Sequence, residues 1–363
     1  MEQTKPIDVY HHGKDLVDFA PFEHKHIGDK VCITSENMGR LNSLKLPNGL
    51  VLSLGQIIAL AGDFYGVPTQ PIIDPSNQTN DDRYRRFIDA YNSLAREPKE
   101  KLQPELNKLL AALEHETRNL KSLKDKLWDK ITGGKWIWFL PVKHGRMLKL
   151  AKTNHDHFLP YAKEAYLTGH KLAMDKAREA SDKTNAEEKE NLLHEALSLD
   201  GFACHFLTDS FSSGHIRTPR DVLAREINPR NLGHYLSKCM HDEDGKMGLR
   251  VANKRGDGWA AFGDGLLLNE ENKQNLKFVI EAVGKSVDQV FEAYNYPSRD
   301  LNTAVVTDII PILDEEGKNH APLFQVKDGK VYSRSILSFF KQKVATTKRK
   351  DAVTSLKMRS LTL

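Results

Sequence analysis

The stretch HFLTDSFSSGH, residues 205–215, places metal-ligand side chains among apolar neighbours. His205 and Asp209 are four residues apart, so on an α-helix they lie on one face, a turn apart. His215 follows a Ser-Ser-Gly break. Burying an ionised aspartate is costly unless it is paired or bound to a cation. This pattern favours a metal site. The alternative is a core histidine hydrogen-bonded to an aspartate, with a surface histidine nearby.

Other ligand-type residues stand in similarly apolar stretches. They are Asp63 in ALAGDFYG, His157 in NHDHFLPYA, His24 and His26 in PFEHKHIGD, and His241 in CMHDEDG. Imidazole and carboxylate ligands without thiolates suit zinc in a catalytic setting. The chain has no GxSxG elbow and no HExxH helix, and VGKS (283–286) lacks the upstream glycine of a P-loop.

The composition is that of a soluble globular protein. The 363 residues are 39% hydrophobic and 28% charged, and a net charge of +4 is too weak to indicate nucleic-acid binding. Three cysteines without a CxxC pair exclude a thiolate zinc ribbon. The first residues lack a signal-peptide pattern, and no apolar run reaches the roughly 18 residues of a membrane span. We therefore expect synthesis in the cytoplasm.

Helical periodicity predicts an all-helical core. Residues 1–50 are predicted to be mostly irregular. Helices are predicted at 51–66, 80–98, 101–127, 156–181, 185–212, 231–242 and 268–296. Asp328-Gly329, between two alternating apolar runs, predicts a β-hairpin. We predict a helical domain over 1–296, with an insertion at 98–152, and an appendage with a basic tail over 297–363.

In their order along the chain, these motifs resemble the zinc-dependent phospholipase C and P1 nuclease superfamily. The resemblance spans about residues 20–295 and rests on LAGDFYG (Asp63), HFLPYAKEAYLTG (His157), the His205-x3-Asp209 pair and His215. SSGHIRTPR, MHDEDG and GDGWAAFGDG resemble a subgroup of bacterial phospholipases C, some of which are injected into host cells. The resemblance implies an all-α fold: one large helical domain of the superfamily type, with a small C-terminal appendage containing the β-hairpin.

The resemblance also implies two or three zinc ions. The first would be held by Asp63, His157, His205 and Asp209. Asp209 would bridge to a second ion that takes His24 or His26, and Glu23 or Asp29 are further substitutes for the N-terminal ligands that family members use. His215 would hold a third ion with a histidine and a carboxylate from the next helix. His241 with Asp242 or Asp244 is predicted there, because Lys238, four residues after His234, cannot ligate.

The implied activity is that of a phospholipase C. Phosphatidylcholine or a relative would be split at the glycerol-side phosphodiester into diacylglycerol and a phosphorylated headgroup, with Asp63 as general base. Phe64 and Tyr65 are candidate substrate contacts. The alternatives are a single-strand nuclease with the same site chemistry, and a non-catalytic module that interacts with a host.

Trp136, Trp138 and Phe139 lie in an aromatic loop between lysines, which predicts contact with a phospholipid membrane surface. A hydrophobic plug in the core is the alternative. A nuclease needs base-stacking aromatics beside a basic groove, and the sequence has no such cluster. A nucleic-acid partner is therefore not favoured, and no obligate protein partner is inferred from the sequence. The subgroup implies a virulence effector, exported by a specialised secretion system and bound peripherally to membranes.

Overall fold

The computed structural model describes residues 20–333 except 36–38, 76–77, 139, 228–229 and 328–329, together with 356–357. Within these residues the protein is mainly helical, as predicted. The helices are α1 (Pro21–Lys30), α2 (Leu54–Leu60), α3 (Asn80–Ala95), α4 (Lys99–Asn119), α5 (Asp125–Ile131), α6 (Arg146–Ala151), α7 (Tyr161–Ser181), α8 (Ala186–Asp209), α9 (Ser213–Ile216), α10 (Arg220–Glu226), α11 (Arg230–Met247), α12 (Lys273–Asn295) and α13 (Ala304–Thr307). None of the described helices has both the length and the apolar character needed to cross a membrane.

The described strands form five small sheets of two or three strands. They are β1 (Ile33–Ser35), β2 (Gly39–Leu41), β3 (Leu44–Lys45), β4 (Val51–Leu52), β5 (Lys135–Ile137), β6 (Leu140–Lys143), β7 (Leu249–Ala252), β8 (Gly258–Ala261), β9 (Ile312–Leu313), β10 (Phe324–Lys327), β11 (Lys330–Ser333) and β12 (Leu356–Lys357). All strand pairs are antiparallel.

Helix α8 is the centre of the molecule. It begins at the N-cap Asn185, whose side chain accepts a hydrogen bond from the amide of Glu188. Its C-terminal half is buried almost all round, because α7, α12 and α2 pack against it. A helix that is apolar on every side is stable only when it is enclosed in this way. The enclosed end carries the ligand-type residues.

Two predictions near the N-terminus were wrong. Residues 21–30, which were expected to be irregular, form α1, and the helix predicted at 51–66 is only the seven-residue α2. Helix α2 starts at a Ser53–Gln56 capping box and stops at Ala61, whose backbone is extended. The predicted helix at 80–98 is confirmed as α3.

The C-terminal hairpin is confirmed by the antiparallel pairing of β10 with β11, while its turn residues 328–329 lie outside the described part. The region after residue 296 packs on the helices. Strand β9 pairs with β7, and Leu323 and Phe324 share an apolar cluster with Leu223 and Met240 of α10 and α11. Helix α11 itself packs on α9, which follows the ligand-bearing end of α8.

Candidate metal centre

Asp63 is presented to the end of α8 by a turn that requires glycine. Gly62 has a φ of 67°, which side-chain-bearing residues rarely adopt. A Cβ at Gly62 would lie 2.5 Å from Cδ2 of His205 and 2.8 Å from Cε1 of His157. The Ala-Gly-Asp sequence therefore lets the backbone touch both imidazoles and directs the Asp63 carboxylate, which is 13% exposed, towards them.

His205 and Asp209 lie one turn apart on α8, as the spacing predicts. The Nδ1 atom of His205 is 3.0 Å from the carbonyl oxygen of Ile58. Its Nε2 atom faces carboxylate oxygens of Asp63 at 3.6 Å and of Asp209 at 3.4 Å. Metal-binding histidines commonly donate from one ring nitrogen to a carbonyl and ligate with the other. His205 is oriented in this way.

His157, at the end of a 3-10 helix over Asn154–His157, completes this group. Its Nδ1 atom lies 2.8 Å from Oδ2 of Asp209 and 3.2 Å from Nε2 of His205. The contact with Asp209 does not have hydrogen-bond geometry, because Oδ2 is buried without a hydrogen-bond partner. An unpartnered buried carboxylate oxygen among imidazole nitrogens is an arrangement that a shared cation would satisfy.

Of the two histidines of α1, His24 faces Asp209 and His26 does not. Nε2 of His24 faces Oδ1 of Asp209 at 3.5 Å, and its Nδ1 atom lies 2.7 Å from the hydroxyl of Thr208. His26 is only partly buried and joins none of the ligand groups of the described residues. A helix turns by about 100° per residue, so only one of the two can face α8.

A second region of ligands surrounds His215. The Nδ1 atom of His215 is 2.8 Å from the carbonyl oxygen of His157. His241 lies beside it on α11, with a ring-centroid distance of 5.0 Å. The Nε2 atom of His241 is 3.3 Å from Oδ2 of Asp264. Asp264, which sequence analysis missed, therefore supplies the carboxylate of this group.

The two carboxylates predicted for this position have other partners. Asp242 is 3.0 Å from Nδ1 of His241, on the side of the ring away from Asp264, and it also pairs with Lys238. Asp244 is fully buried against the guanidinium of Arg217 and Nε2 of His320. The GDG sequence around Asp264 is part of the resemblance, but no spacing rule connects that loop to α11.

The loop that carries Asp264 is held by Glu23 of α1. The two carboxylate oxygens of Glu23 accept the amides of Gly265 at 2.9 Å and Leu267 at 2.7 Å. Burial, with a smaller effect of Asp264, raises the pKa of Glu23 to about 8. Asp264 is further fixed by the hydroxyl of Ser212, 2.8 Å from its Oδ1. Glu23 is a candidate metal ligand in the sequence. In the structure it instead holds the loop that carries Asp264.

Within the described residues, three sets of three side chains bring their ligand atoms within 4.8 Å of one another. They are His24, Asp63 and His205; His157, His205 and Asp209; and His215, His241 and Asp264. Four of these eight side chains are buried, and the four with some exposure are His24, Asp63, His241 and Asp264. The centre is therefore open to solvent along that rim.

Burial puts the histidines in the form that binds metals. It lowers the pKa of His157 and of His215 to about 4, and lowers that of His24 and His205 as well. Burial opposes protonation of His241 too, but contacts with Asp242 and Asp264 outweigh it and raise its pKa to about 9. Four of the five imidazoles are therefore neutral at neutral pH.

Two of the carboxylates, Asp63 and Asp209, lack compensating positive charge, whereas Asp264 pairs with His241. Burial raises the pKa of Asp209 to about 6, although His215 and His24 oppose the shift. Burial, and then the proximity of Asp209, raises the pKa of Asp63 well above its ordinary range. Neutral imidazoles converging on buried carboxylates are the donor set of a site for divalent cations. The described residues therefore fit a bound metal.

The remaining predicted site residues lie elsewhere. Phe64 and Tyr65 are 1% and 0% exposed, so they are not placed to contact a substrate. Phe64 packs against Trp128, and Arg146 covers the ring of Tyr65. Trp138 is exposed and Trp136 is partly buried. Phe139 lies outside the described residues.

No family model matches this chain, and neither the curated proteins nor the solved structures contain a match. The resemblance to the phospholipase C and P1 nuclease superfamily stays a prediction from five residues and their order.

Proposed function

We propose that this protein is a zinc-dependent phospholipase C with the helical fold of the phospholipase C and P1 nuclease superfamily. It would hydrolyse the glycerol-side phosphodiester of a phospholipid, with phosphatidylcholine as the first candidate. Two features support the proposal: the order of the ligand motifs in the sequence, and a centre in which residues from separate elements converge. Nuclease activity on single strands is the alternative with the same site chemistry.

The position of Asp209 is the observation that carries the proposal. One of its oxygens faces His157 at 2.8 Å and His205 at 3.4 Å. The other lies 3.5 Å from Nε2 of His24 and 3.7 Å from Nδ1 of His215, the nitrogen that also contacts the carbonyl oxygen of His157. A carboxylate between two sets of imidazoles is placed to bridge two cations, the arrangement used by two-metal phosphodiesterases.

The donor chemistry favours zinc, because nitrogen ligands outnumber oxygen ligands. Asp63, His157, His205 and Asp209 would hold one ion. His24 with the far oxygen of Asp209 would hold the second. His215, His241 and Asp264 would hold the third. Zinc bound at such a centre supplies Lewis-acid chemistry, which makes water a stronger nucleophile at neutral pH and offsets charge on phosphate oxygens.

In the proposed reaction, the chain's own residues would orient the ligand imidazoles and deprotonate the attacking water. Asp63 is the proposed general base, because its carboxylate is partly exposed at the open rim while its backbone is fixed by Gly62. The carbonyl oxygens of Ile58 and His157 orient His205 and His215, so the ligand nitrogens need no rearrangement when a substrate arrives. Such preorganisation is what a catalytic centre requires.

The test is metal content measured together with activity on three substrates. Purified protein is analysed for bound metals and assayed on short-chain phosphatidylcholine, on phosphatidylcholine vesicles and on single-stranded DNA. We expect two or three zinc equivalents and release of diacylglycerol. Cleavage of DNA alone would identify the nuclease. Bound zinc without turnover would identify the non-catalytic module, and trace metal with no recovery after zinc addition would refute the proposal.

A further inference from the structure

The most exposed apolar surface of the described residues is the hairpin of β5 and β6. Ile137, Trp138, Leu140 and Val142 are 63%, 83%, 60% and 62% exposed. Trp138 also has a φ of 55°, in the left-handed region where a bulky side chain is unusual. An apolar cluster kept in solvent at the end of a hairpin marks an interaction site.

The hairpin is firmly held at its base. The buried carboxylate of Asp129 accepts the indole N–H of Trp136 at 2.6 Å and the amide of Gly145 at 2.6 Å. These two bonds tie strand β5 and the segment just after β6 to α5. Trp136 therefore belongs to the base of the hairpin. The apolar end is held in a fixed orientation relative to α5.

The base of the hairpin also contacts the residues next to the metal centre. The ring of Trp128 packs on Phe64, with centroids 5.0 Å apart. Arg146 donates to the carbonyl oxygen of Phe64. Since Phe64 follows Asp63 directly, two sets of side chains connect the hairpin to the open rim of the centre. A surface bound by the hairpin would lie near the proposed site of hydrolysis.

The charge around the hairpin is strongly positive. Residues 121–149 contain seven lysines and only two aspartates, and one of these is the buried Asp129. Lys135 and Lys143 face each other across the strands at the stem, below the apolar end. The apolar side chains therefore lie further out along the hairpin than the two lysines. An anionic bilayer has the same order, with charged headgroups at the surface and acyl chains beneath them.

We propose that the β5–β6 hairpin is a membrane-docking element that inserts into the interface of an anionic phospholipid bilayer. Trp138 and the exposed aliphatic residues enter the acyl boundary, and Lys135 and Lys143 remain among the headgroups. A second copy of the chain is a poor occupant, because a stable protein interface needs about 800 Å² on each partner and this hairpin has nine residues. The biological purpose rests on the proposed phospholipase function, whereas the binding itself does not.

The experiment measures binding of the full-length protein to vesicles of pure phosphatidylcholine and to equimolar phosphatidylcholine–phosphatidylserine vesicles. We expect the double variant Trp138→Ala with Leu140→Ala to bind mixed vesicles at least about tenfold more weakly, or about 1.4 kcal/mol. Tyr296→Ala, which removes a 59% exposed aromatic side chain from the segment after α12, is the matched control and should bind as wild type.

The electrostatic contribution is tested with Lys135→Glu plus Lys143→Glu. This variant should lose binding to mixed vesicles about tenfold or more and lose much of its preference for phosphatidylserine, since basic residues near an anionic surface strengthen binding to it. Lys285→Glu on α12 is the control for a single exposed lysine and should keep most of the preference. Circular dichroism and zinc content verify that each variant is folded.

The outcomes separate this proposal from the proposed activity. Wild-type vesicle binding by the Trp138 and Leu140 variant overturns the docking proposal. So does a hairpin-dependent dimer that binds no vesicles. Hydrolysis of short-chain phosphatidylcholine without any vesicle binding overturns docking and leaves the activity intact. Vesicle binding by a protein that lacks zinc and turnover supports docking and refutes the phospholipase.

Discussion

Gly245 of α11 and Gly263 after β8 pack backbone against backbone. The amide of Gly263 donates to the carbonyl oxygen of Gly245 over 2.9 Å. A Cβ on Gly263 would lie 2.4 Å from Cα of Gly245. Gly245 is four residues after His241, one turn further along α11. Because Gly245 has no side chain, the loop that carries Asp264 can pack directly against this turn.

Gly263→Ala should therefore displace the loop and remove the third metal without unfolding the protein. We expect one fewer zinc equivalent than in wild type. Gly258→Ala in β8 is the matched control, since its new Cβ would make an ordinary 3.8 Å contact with the carbonyl oxygen of Val251. Zinc analysis of the two variants decides the point. Full zinc in Gly263→Ala would show that Asp264 does not depend on this contact.

Asp264→Asn and Asp242→Asn should differ in zinc binding. Asp264 faces His241 and His215 as a candidate ligand, so its replacement should remove one zinc equivalent. Asp242 contacts the opposite ring nitrogen of His241, so its replacement should weaken that site only by about 10–100-fold, as for other residues that orient a ligand. Zinc titration against a competing chelator distinguishes the two. The reverse order would restore Asp242 as the ligand.

Asp209→Asn should abolish bridging. A carboxamide keeps the size of the side chain but removes the charge that two cations share. We expect loss of one or two zinc equivalents and a fall in turnover of at least about a thousandfold, or about 4 kcal/mol of transition-state stabilisation. Zinc stoichiometry and the hydrolysis rate are measured on the same sample. If the variant keeps its metal and most of its activity, Asp209 only orients His205.

His24→Ala and His26→Ala are compared because both residues lie on α1 and only His24 contacts Asp209. His24 contacts Asp209 and Thr208, so His24→Ala should lose the second zinc equivalent and lower the hydrolysis rate. His26 is partly buried, and no ligand group of the described residues includes it, so His26→Ala should keep both zinc content and rate. Equal losses in the two variants would contradict the choice of His24.

Glu116 should make stability depend on pH. Burial raises the pKa of this carboxyl on α4 from its ordinary 4.5 to about 8, although hydrogen bonds from Leu123 and Trp128 oppose the shift. Between these values the folded state binds more protons than the unfolded state, so the free energy of unfolding falls as pH rises.

Relative to Glu116→Gln, wild type should lose up to about 1.4 kcal/mol per pH unit within that window. Denaturant unfolding of both proteins at several pH values measures the difference. Parallel stability curves would show that Glu116 titrates normally in the folded state.

Predictions that depend on neighbouring residues of one helix came directly from the sequence. The pairing of His205 with Asp209 on one face of α8 follows from the helical repeat, whatever else the chain does. The Asp328-Gly329 turn signal predicted the pairing of β10 with β11 for the same local reason.

The choice among equivalent candidates required tertiary structure. His24 rather than His26 faces Asp209 because of the way α1 packs against α8. Asp264 rather than Asp242 faces Nε2 of His241 because two glycines let a distant loop approach α11. Phe64 is in the core while Trp138 is in solvent, although both are aromatic residues in apolar stretches. Residue spacing determines which side chains share a face of one helix, whereas the distance between two elements depends on how their backbones pack.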